Sequence, residues 1–199
     1  MCGRYVFFTS EEYRELRDII EEVARRHKSG YGILAEQEIY PSDRAPVLRL
    51  GARGRQAQLM HWGIPLGDTS RLIINARAET LFDKPLFAQA DRCLIPAGGF
   101  FEWEKTSAGK KKYLIRPIDR SAIYMGGVYR RRPLKNEEWT DCYAIVTTAA
   151  DDQMRAIHHR MPVALPPDMA RAWLDRETSR KELEQALASW DRAWELTAC

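Results

Sequence analysis

Residues 93–103, Cys-Leu-Ile-Pro-Ala-Gly-Gly-Phe-Phe-Glu-Trp, carry the pattern that decides the fold. They contain two short β-rich runs, 93–95 and 100–103, on either side of a glycine pair. The same kind of short apolar run recurs at 59–62, 72–74, 113–115, 122–125 and 143–146. Clusters of glycine, proline and charge at 105–112 and 130–138 separate these runs and predict hairpin turns. The middle of the chain is therefore predicted to form a sheet.

Helical patterns lie on both sides of this segment. Thr9 and Glu12 form a capping-box pattern, and apolar residues follow at helical spacing as far as Ser29 and Gly30. After Ala150, helical patterns return in the segments 151–157, 168–174 and 179–190. The chain has no repeat, long linker or low-complexity tract. We therefore predict one α+β domain over residues 1–199, with a curved, mainly antiparallel β-sheet or barrel core flanked by helices.

Composition limits the classes of function. A net charge of +3 permits a nucleic-acid partner but does not require one. The cysteines are scattered and include no C-x-x-C motif, which predicts reduced thiols in a cytoplasmic protein and argues against a zinc site or disulfide framework. No apolar run has the length of a membrane span, and the N-terminus lacks the layout of a signal peptide. We expect no metal, no cofactor and no membrane association, and we expect a monomer.

The N-terminal sequence Met1-Cys2-Gly3-Arg4 carries the first candidate site residue. Once Met1 is removed, Cys2 bears a free α-amine and a thiol on one carbon frame. The amine can condense with an aldehyde to an imine, and the sulfur can close onto it to give a thiazolidine. Ordinary pKa values of about 7.7–8.0 for the amine and about 8.5 for the thiol leave part of each nucleophilic at neutral pH. Position alone favours a cysteine that merely follows the initiator.

A polar cluster follows the predicted strand 72–74. Asn75 and Arg77 are two residues apart, so both side chains can point the same way. Arg77 could bind a phosphate bidentately, and Asn75 could orient a backbone or a ligand. A helix start that carries a surface arginine would explain the same residues.

Glu102 lies between bulky aromatic residues, Phe101 and Trp103, after two glycines that let another backbone come close. Desolvation at such a position would raise the pKa of the carboxyl and suit it to proton transfer. Strand alternation allows the opposite arrangement, in which Glu102 faces solvent while both aromatic residues face the core.

Two further polar clusters lie in the segments 147–150 and 157–162. In the segment 157–162, His158 and His159 are adjacent and point in different directions, so at most one of them is expected to act in proton transfer. In the segment 147–150, Thr148 and its neighbours offer hydroxyl and N–H groups that could hold a phosphate. The same segment could simply cap the next helix.

The motifs gain specificity from their joint order along the chain. Cys-Gly-Arg at 2–4 is followed by N-A-R-A-E-T at 75–80, G-F-F-E-W at 99–103, T-T-A-A at 147–150 and H-H-R-M-P at 158–162. This combination closely resembles the SRAP family, the SOS-response-associated peptidases, from residue 1 to about residue 174. The resemblance implies a DNA damage response protein that senses abasic sites in single-stranded DNA and bonds covalently to the exposed deoxyribose aldehyde.

The resemblance also implies roles for individual residues. Cys2 is implied as the nucleophile that forms the thiazolidine, Asn75 as the group that holds the Cys2 end and the sugar, and Glu102 and His158 as catalytic residues. His159 occupies a variable position and takes no role. Arg77 and Arg160, with Arg4, are implied to bind flanking phosphates. We also predict DNA contacts for Pro41, Trp103 and Thr148, and Trp103 or Tyr40 could stack on a base.

The implied chemistry uses these groups in sequence. A proton from His158 opens the closed sugar, Glu102 moves protons while the amine of Cys2 adds and water leaves, and the thiol locks the imine. An open Schiff base would invite strand cleavage, so a slow lyase side activity is expected. The family is also assigned a peptidase role, which is linked to removal of Met1. Because the net charge is modest, we expect intact single strands to bind weakly.

The sequence departs from the family pattern in three places. Residues 66–70 lack the aromatic residues usual after the W-G-x-x-P segment, and only Pro41 matches the family's N-x-x-P segment. The chain also ends at Cys199, and we expect it to lack the longer C-terminal tail and its strand, so that the sheet edge differs.

Two other classes remain open at this level. A chain that starts Met-Cys-Gly is also similar to the glutaminase domain of class II amidotransferases, although an R-G-P-D-type motif and a fused synthase domain are not visible. The other alternative is a noncatalytic single-strand DNA-binding module in which Arg77 and Arg160 position the DNA and Cys2 is incidental.

Overall fold

The computed structural model describes residues 2–8, 13–26, 36–52, 54–67, 70–134, 138–187 and 192–199. In chain order the strands are β1 (Tyr5–Phe8), β2 (Glu36–Ile39), β3 (Arg44–Gly51), β4 (Gly54–Trp62), β5 (Ile64–Pro65), β6 (Leu72–Ile73), β7 (Asn75–Arg77), β8 (Asp91–Ala97), β9 (Gly99–Thr106), β10 (Gly109–Pro117), β11 (Ile123–Pro133), β12 (Trp139–Ala149), β13 (Arg160–Pro162) and β14 (Trp194–Ala198). The helices are α1 (Arg14–Arg26), α2 (Pro85–Ala88), α3 (Asp152–Arg155), α4 (Pro167–Leu174) and α5 (Arg180–Ala186), with a 3-10 turn at Ala78–Thr80.

Two sheets carry the fold. One has five strands in the order β14-β10-β9-β1-β2, and the other runs β11-β8-β3-β4-β12-β13 with β7 beside β12. An additional pairing of β11 with β12 closes the run β11-β8-β3-β4-β12 into a five-stranded barrel. Among the described strands the pairings are antiparallel, apart from β4 and β7, which both run parallel to β12. The predicted α+β fold with a mainly antiparallel barrel core is confirmed.

Strand alternation divides the apolar side chains between two cores. In β12, Tyr143 and Ile145 pack into a core shared with the five-stranded sheet, whereas Ala144 and Val146 pack into a second core. The second core is closed by apolar residues of α1, α4 and α5, including Val23, Trp173 and Leu183. Full burial of a large apolar side chain contributes about 1.5–3 kcal/mol. The first core therefore fixes the five-stranded sheet firmly against the barrel.

The glycine pair between β8 and β9 is required by close packing. A Cβ atom on Gly98 would lie 2.2 Å from Cδ2 of Phe8, and one on Gly99 would lie 2.8 Å from the carbonyl oxygen of Ile115. Only glycine leaves room for these neighbours. The pair lets β1 and β10 approach β9 from both sides, which brings the N-terminus of the chain to the middle of the five-stranded sheet.

The predicted helices are found, and those predicted at 151–157 and 179–190 are shorter than expected. The segment 168–174 lies within α4, and the predicted helix at 179–190 is observed as α5, which ends at Ala186. A capping box starts α5, because Ser179 accepts a hydrogen bond from the backbone N–H of Glu182 and the Glu182 side chain accepts one from the backbone N–H of Ser179. The predicted capping box at Thr9 and Glu12 lies outside the described residues.

The predicted turn at 105–112 is wrong in length, because most of this segment belongs to two strands. The strands β9 and β10 continue through Thr106 and from Gly109, so only residues 107 and 108 connect them. Continued cross-strand pairing, with Lys110 opposite Lys105 and Lys111 opposite Glu104, keeps these charged residues extended. A run of lysines resembles a loop in sequence but can form a solvated hairpin.

The expected absence of a C-terminal strand is also wrong. Strand β14 pairs antiparallel with β10 and forms the edge of the five-stranded sheet. Trp194 anchors the strand, since its side chain is 4% exposed and its ring packs edge-on against Phe100 at 5.8 Å. The rest of β14 is partly or fully exposed, which explains why no buried run marks it in the sequence.

Candidate active site

Cys2 is completely buried just before β1. The side-chain amide of Asn75 donates a hydrogen bond of 2.9 Å to the Cys2 carbonyl oxygen. The backbone N–H of Phe101 donates one of 2.9 Å to the Arg4 carbonyl oxygen, which is also 3.7 Å from the Cys2 sulfur. The N-terminal segment is therefore held on one side by β7 and on the other by β9.

The position of Asn75 follows from the register of β7. This strand lies parallel to β12, with Asn75 beside Ile145 and Arg77 beside Thr147. Alternation turns Asn75 and Arg77 to one face of the strand, while Ala76 between them is buried in the second core. Arg77 is exposed and can reach a ligand from solvent.

Glu102 is buried, with a side chain only 2% exposed. The alternative in which it faces solvent is therefore wrong: Glu102 and its neighbour Trp103 point to opposite faces of β9, and it is Trp103 that is half-buried. A buried carboxylate is costly unless nearby groups stabilise it, and such groups concentrate at functional sites. This burial makes Glu102 a candidate functional group.

Three of the predicted catalytic residues lie within electrostatic reach of one another. Burial, and next the Glu102 carboxylate, raise the pKa of the Cys2 thiol far above its ordinary value. Desolvation lowers the pKa of His158, and the Glu102 carboxylate opposes that shift. The structure therefore brings Cys2, Glu102 and His158 together around one carboxylate, with the Cys2 sulfur held as a neutral thiol.

The imidazole of His158 is held by the backbone of Arg160. Its Nδ1 lies 3.0 Å from the Arg160 backbone nitrogen and 3.2 Å from the Arg160 carbonyl oxygen, so the tautomer decides which of the two contacts is the hydrogen bond. The lowered pKa favours the neutral ring. His159 is exposed and stacks on His158, with ring centroids 4.4 Å apart.

Arg160 is engaged by other protein groups. Its guanidinium forms a two-pronged ion pair with Glu79 and donates to the Thr147 carbonyl oxygen. Its side chain is only 11% exposed, against 51% for Glu79. In this conformation the Arg160 guanidinium links the start of β13 to Glu79 and Thr147, and the Arg160 backbone contacts the His158 ring. Its implied contact with a DNA phosphate stays a prediction and would require the phosphate to replace Glu79.

Arg4 lies in an aromatic site on the outer face of the five-stranded sheet. Its guanidinium is 4.3 Å from the ring centroid of Tyr40 and 5.1 Å from that of Trp103, and it forms a 3.1 Å salt bridge with Glu38. Cation–aromatic contacts of this kind stabilise by about 0.5–2 kcal/mol. Pro41 is half-buried in the adjacent turn. Tyr40, which is 43% exposed, presents a free aromatic surface next to Arg4.

Thr148 lies apart from the other predicted residues. Alternation along β12 turns it to the face opposite Thr147, where it lines a surface pocket with Phe82, Asp83 and Arg180. Its implied contact with DNA remains a prediction. Sequence reasoning assigned no role to Glu38 or Glu79, although Glu79 lies within the N-A-R-A-E-T motif that singled out its neighbours.

Within the described ranges, no three His, Cys, Asp or Glu side chains are grouped closely enough to hold a metal ion. None of the described helices combines the length and the apolar character that crossing a membrane demands.

One buried histidine, His61, and one half-buried histidine, His158, predict a pH dependence of stability. Desolvation lowers the pKa values of His61 and His158 in the folded state below their ordinary value of 6.5. The unfolded chain therefore binds more protons, so the stabilising contribution is complete above pH 6.5 and is lost as the pH falls through the folded-state values. Urea unfolding should give a lower free energy at pH 5.5 than at pH 7.5, and the difference should shrink in the His61→Gln/His158→Gln double variant. An unchanged difference would assign it to other groups.

The fold and the site define an α+β protein with a barrel core and a buried N-terminal cysteine beside a glutamate and a histidine. The chain belongs to the SOS response associated peptidase (SRAP) family, whose sequence model matches residues 1–198. The match extends well beyond residue 174, the limit expected from the motifs, and includes the C-terminal strand β14.

Named relatives and solved structures agree with this membership. The abasic site processing protein YedK of Escherichia coli (strain K12) is 31% identical over 95% of this chain and 86% of its own length. The abasic site processing protein HMCES of Gallus gallus is 30% identical over 51% of this chain and 37% of its own. A crystal structure of a protein from Bacteroides thetaiotaomicron shares the fold, with a TM-score of 0.80 at 24% identity over 99% of this chain and 91% of that one.

Proposed function

We propose that this chain processes abasic sites in single-stranded DNA by covalent capture of the exposed aldehyde through Cys2. The observation that carries the proposal is the burial of Cys2 beside Glu102 and His158. The chain's membership of a family whose relatives are named abasic site processing proteins gives the substrate class. Removal of Met1 is a condition of the chemistry, because only then does Cys2 carry a free α-amine.

The first step opens the sugar. An abasic deoxyribose is mostly a closed hemiacetal, and a proton delivered to its ring oxygen releases the aldehyde. Protonated His158 is the candidate donor, because an imidazolium whose ordinary pKa lies near neutrality can release a proton to the ring oxygen. Glu102 is the candidate acceptor for the proton that the sugar hydroxyl loses.

The second step joins protein and DNA. The Cys2 amine adds to the aldehyde carbon, a water molecule leaves, and an imine forms. The Cys2 thiol then adds across the C=N bond, its sulfur bonding to carbon and its proton passing through Glu102 to nitrogen. The sum is loss of one water and formation of one C–N and one C–S bond. The amine acts first in this scheme, because the sulfur closes the ring onto the imine that the amine forms.

Two side activities follow from the same intermediate. An imine that escapes ring closure would undergo β-elimination, so we propose slow strand cleavage as a minor lyase path. Removal of Met1 by the chain itself is the peptidase activity that the family's description suggests. An aminopeptidase acting on a small second residue would give the same processed N-terminus.

The DNA contacts are proposed from accessible groups. Arg77 is exposed beside Asn75 and suits a phosphate next to the lesion. Tyr40 and Trp103, joined through Arg4, offer a surface on which a base can stack. Phosphate contacts and base stacking do not depend on which base is present, which suits recognition of a lesion and not of a base sequence. Acting on chromosomal DNA, the protein would work in the compartment that holds the chromosome.

Denaturing electrophoresis tests this proposal. The Met1-processed protein is mixed with an abasic single strand, beside a form that carries extra residues before Cys2. A slow-migrating protein–DNA band is expected for the processed protein alone, because the extended form has no α-amine on Cys2. Equal amounts of adduct from both forms would contradict the proposal. A lesion-free strand of the same sequence serves as the control and should give no band.

A further inference from the structure

The β9–β10 hairpin projects from the five-stranded sheet next to the aromatic site. Strand β1 pairs with β9 only at residues 99 and 100, and β14 pairs with β10 only from residue 113 onward. Among the strands that the structure describes, the segment from Glu104 to Lys111 therefore pairs only with itself. The hairpin is a two-stranded ribbon that extends past its neighbours into solvent.

The pairing of β9 with β10 places lysine side chains in a row that continues from the aromatic site. Lys112 lies opposite Trp103, and Lys110 lies opposite Lys105. Residues directly opposite in an antiparallel pair share a face, so these four side chains lie on the face that also carries Arg4. At about 3.4 Å per residue, Lys105 and Lys110 extend the row about 7 Å beyond Trp103.

Lys105 and Lys110, which we call the lysine pair, are electrostatically uncompensated. Both are exposed. Lys112 has a 2.8 Å salt bridge with Glu38, but in the part of the chain that the structure describes no salt bridge joins Lys105 or Lys110 to a carboxylate. Like charges directly opposite each other destabilise a hairpin. A local arrangement that weakens the fold is typical of a functional site.

We propose that the lysine pair binds backbone phosphates of the single strand that extends from the lesion. This inference rests on the proposed function, which brings a DNA strand to the adjacent aromatic site. Flexible ammonium groups bind phosphates as point charges without reading sequence, as a lesion-capturing protein requires. An anionic strand also relieves the repulsion between the two lysines. From the aromatic site outward, the bound strand would stack one base on Trp103 and place its next phosphates at the lysine pair.

Binding of lesion-free single strands tests the lysine pair without any covalent step. Fluorescence anisotropy over a series of salt concentrations compares the parent protein with Lys105→Gln/Lys110→Gln. The matched control is Arg25→Gln/Lys181→Gln, which removes two exposed positive charges from helices α1 and α5. Because the lysine variant relieves a repulsion, its thermal midpoint should not fall.

The lysine variant should bind about tenfold more weakly at low salt, and the slope of log K against log salt should become shallower by about 1.4 for two lost phosphate contacts. The control should keep the parent's slope of log K against log salt, apart from the small change caused by removing two charges elsewhere on the surface. If the lysine variant matches the control, or if the parent shows no binding at low salt, the inference is wrong and the lysines serve only solubility.

Cross-linking to an abasic strand, measured in parallel, keeps the two proposals separate. A parent that cross-links while the lysine variant binds like the control overturns the lysine pair and keeps the proposed function. A parent that never cross-links but binds strands through the lysine pair overturns covalent capture and supports the DNA contact.

Discussion

Cys2→Ala protein is expected to lose the stable adduct with abasic DNA by a factor of at least about 100. Alanine keeps the small second residue and the α-amine, so Met1 can still be removed and an imine can still form. It lacks the sulfur that closes the ring. Borohydride reduction should therefore trap a bond between Cys2→Ala protein and DNA, whereas without borohydride that bond should hydrolyse or lead to strand cleavage.

The matched control is Cys199→Ala, which removes the one exposed cysteine and should form the adduct at the parent's rate. A Cys2→Ala protein that retains the full stable adduct would support the noncatalytic alternative, in which Cys2 is incidental. Hydrolysis of glutamine by the parent, lost in Cys2→Ala, would support the glutaminase-like alternative.

Glu102→Gln protein is expected to form the adduct about 100-fold more slowly while remaining at least as stable as the parent. The amide keeps the shape of the side chain and removes the buried charge that moves protons between sugar, amine and sulfur. Single-turnover cross-linking measures the rate, and urea unfolding measures the free energy of unfolding. A loss of rate with no loss of stability separates catalysis from folding.

Glu104→Gln is the control for this substitution. Glu104 lies two residues further along β9 on the same side as Glu102, where it accepts a hydrogen bond from Tyr113 at 3.0 Å. The change is chemically identical but sits toward the surface, so the rate of adduct formation should stay within about twofold of the parent, as is typical of surface substitutions. An equal fall in both variants would show that general surface charge, and not Glu102, controls the reaction.

The sequence predicts the parts of the fold in which burial follows a regular period. Runs such as 143–146 lie in strands that alternate between two cores, and residues 168–174 form a helix with one buried face. Strand β14 escapes prediction because Trp194 is its only deeply buried residue. The lysine-rich hairpin escapes because its strands are solvated on both faces, so charge marks it as a loop.

The sequence predicts which residues form the candidate site, but it does not predict how their side chains are arranged. Motif order identifies Cys2, Glu102 and His158, and strand alternation alone leaves the orientation of Glu102 undecided. Only the packing of β1 and β9 against the barrel decides that it points inward. The ion pair between Glu79 and Arg160 joins residues 81 positions apart and depends on the pairing of β12 with both β7 and β13. No local pattern records such a contact.

Mass spectrometry of the isolated protein–DNA adduct tests the covalent claim most directly. After proteolysis and nuclease digestion, the N-terminal peptide should begin at Cys2, lack Met1 and carry the sugar remnant with loss of one water. Fragmentation should assign both new bonds to Cys2, one at nitrogen and one at sulfur. An adduct that retains Met1, or a sugar attached to any other side chain, would contradict capture by the N-terminal cysteine.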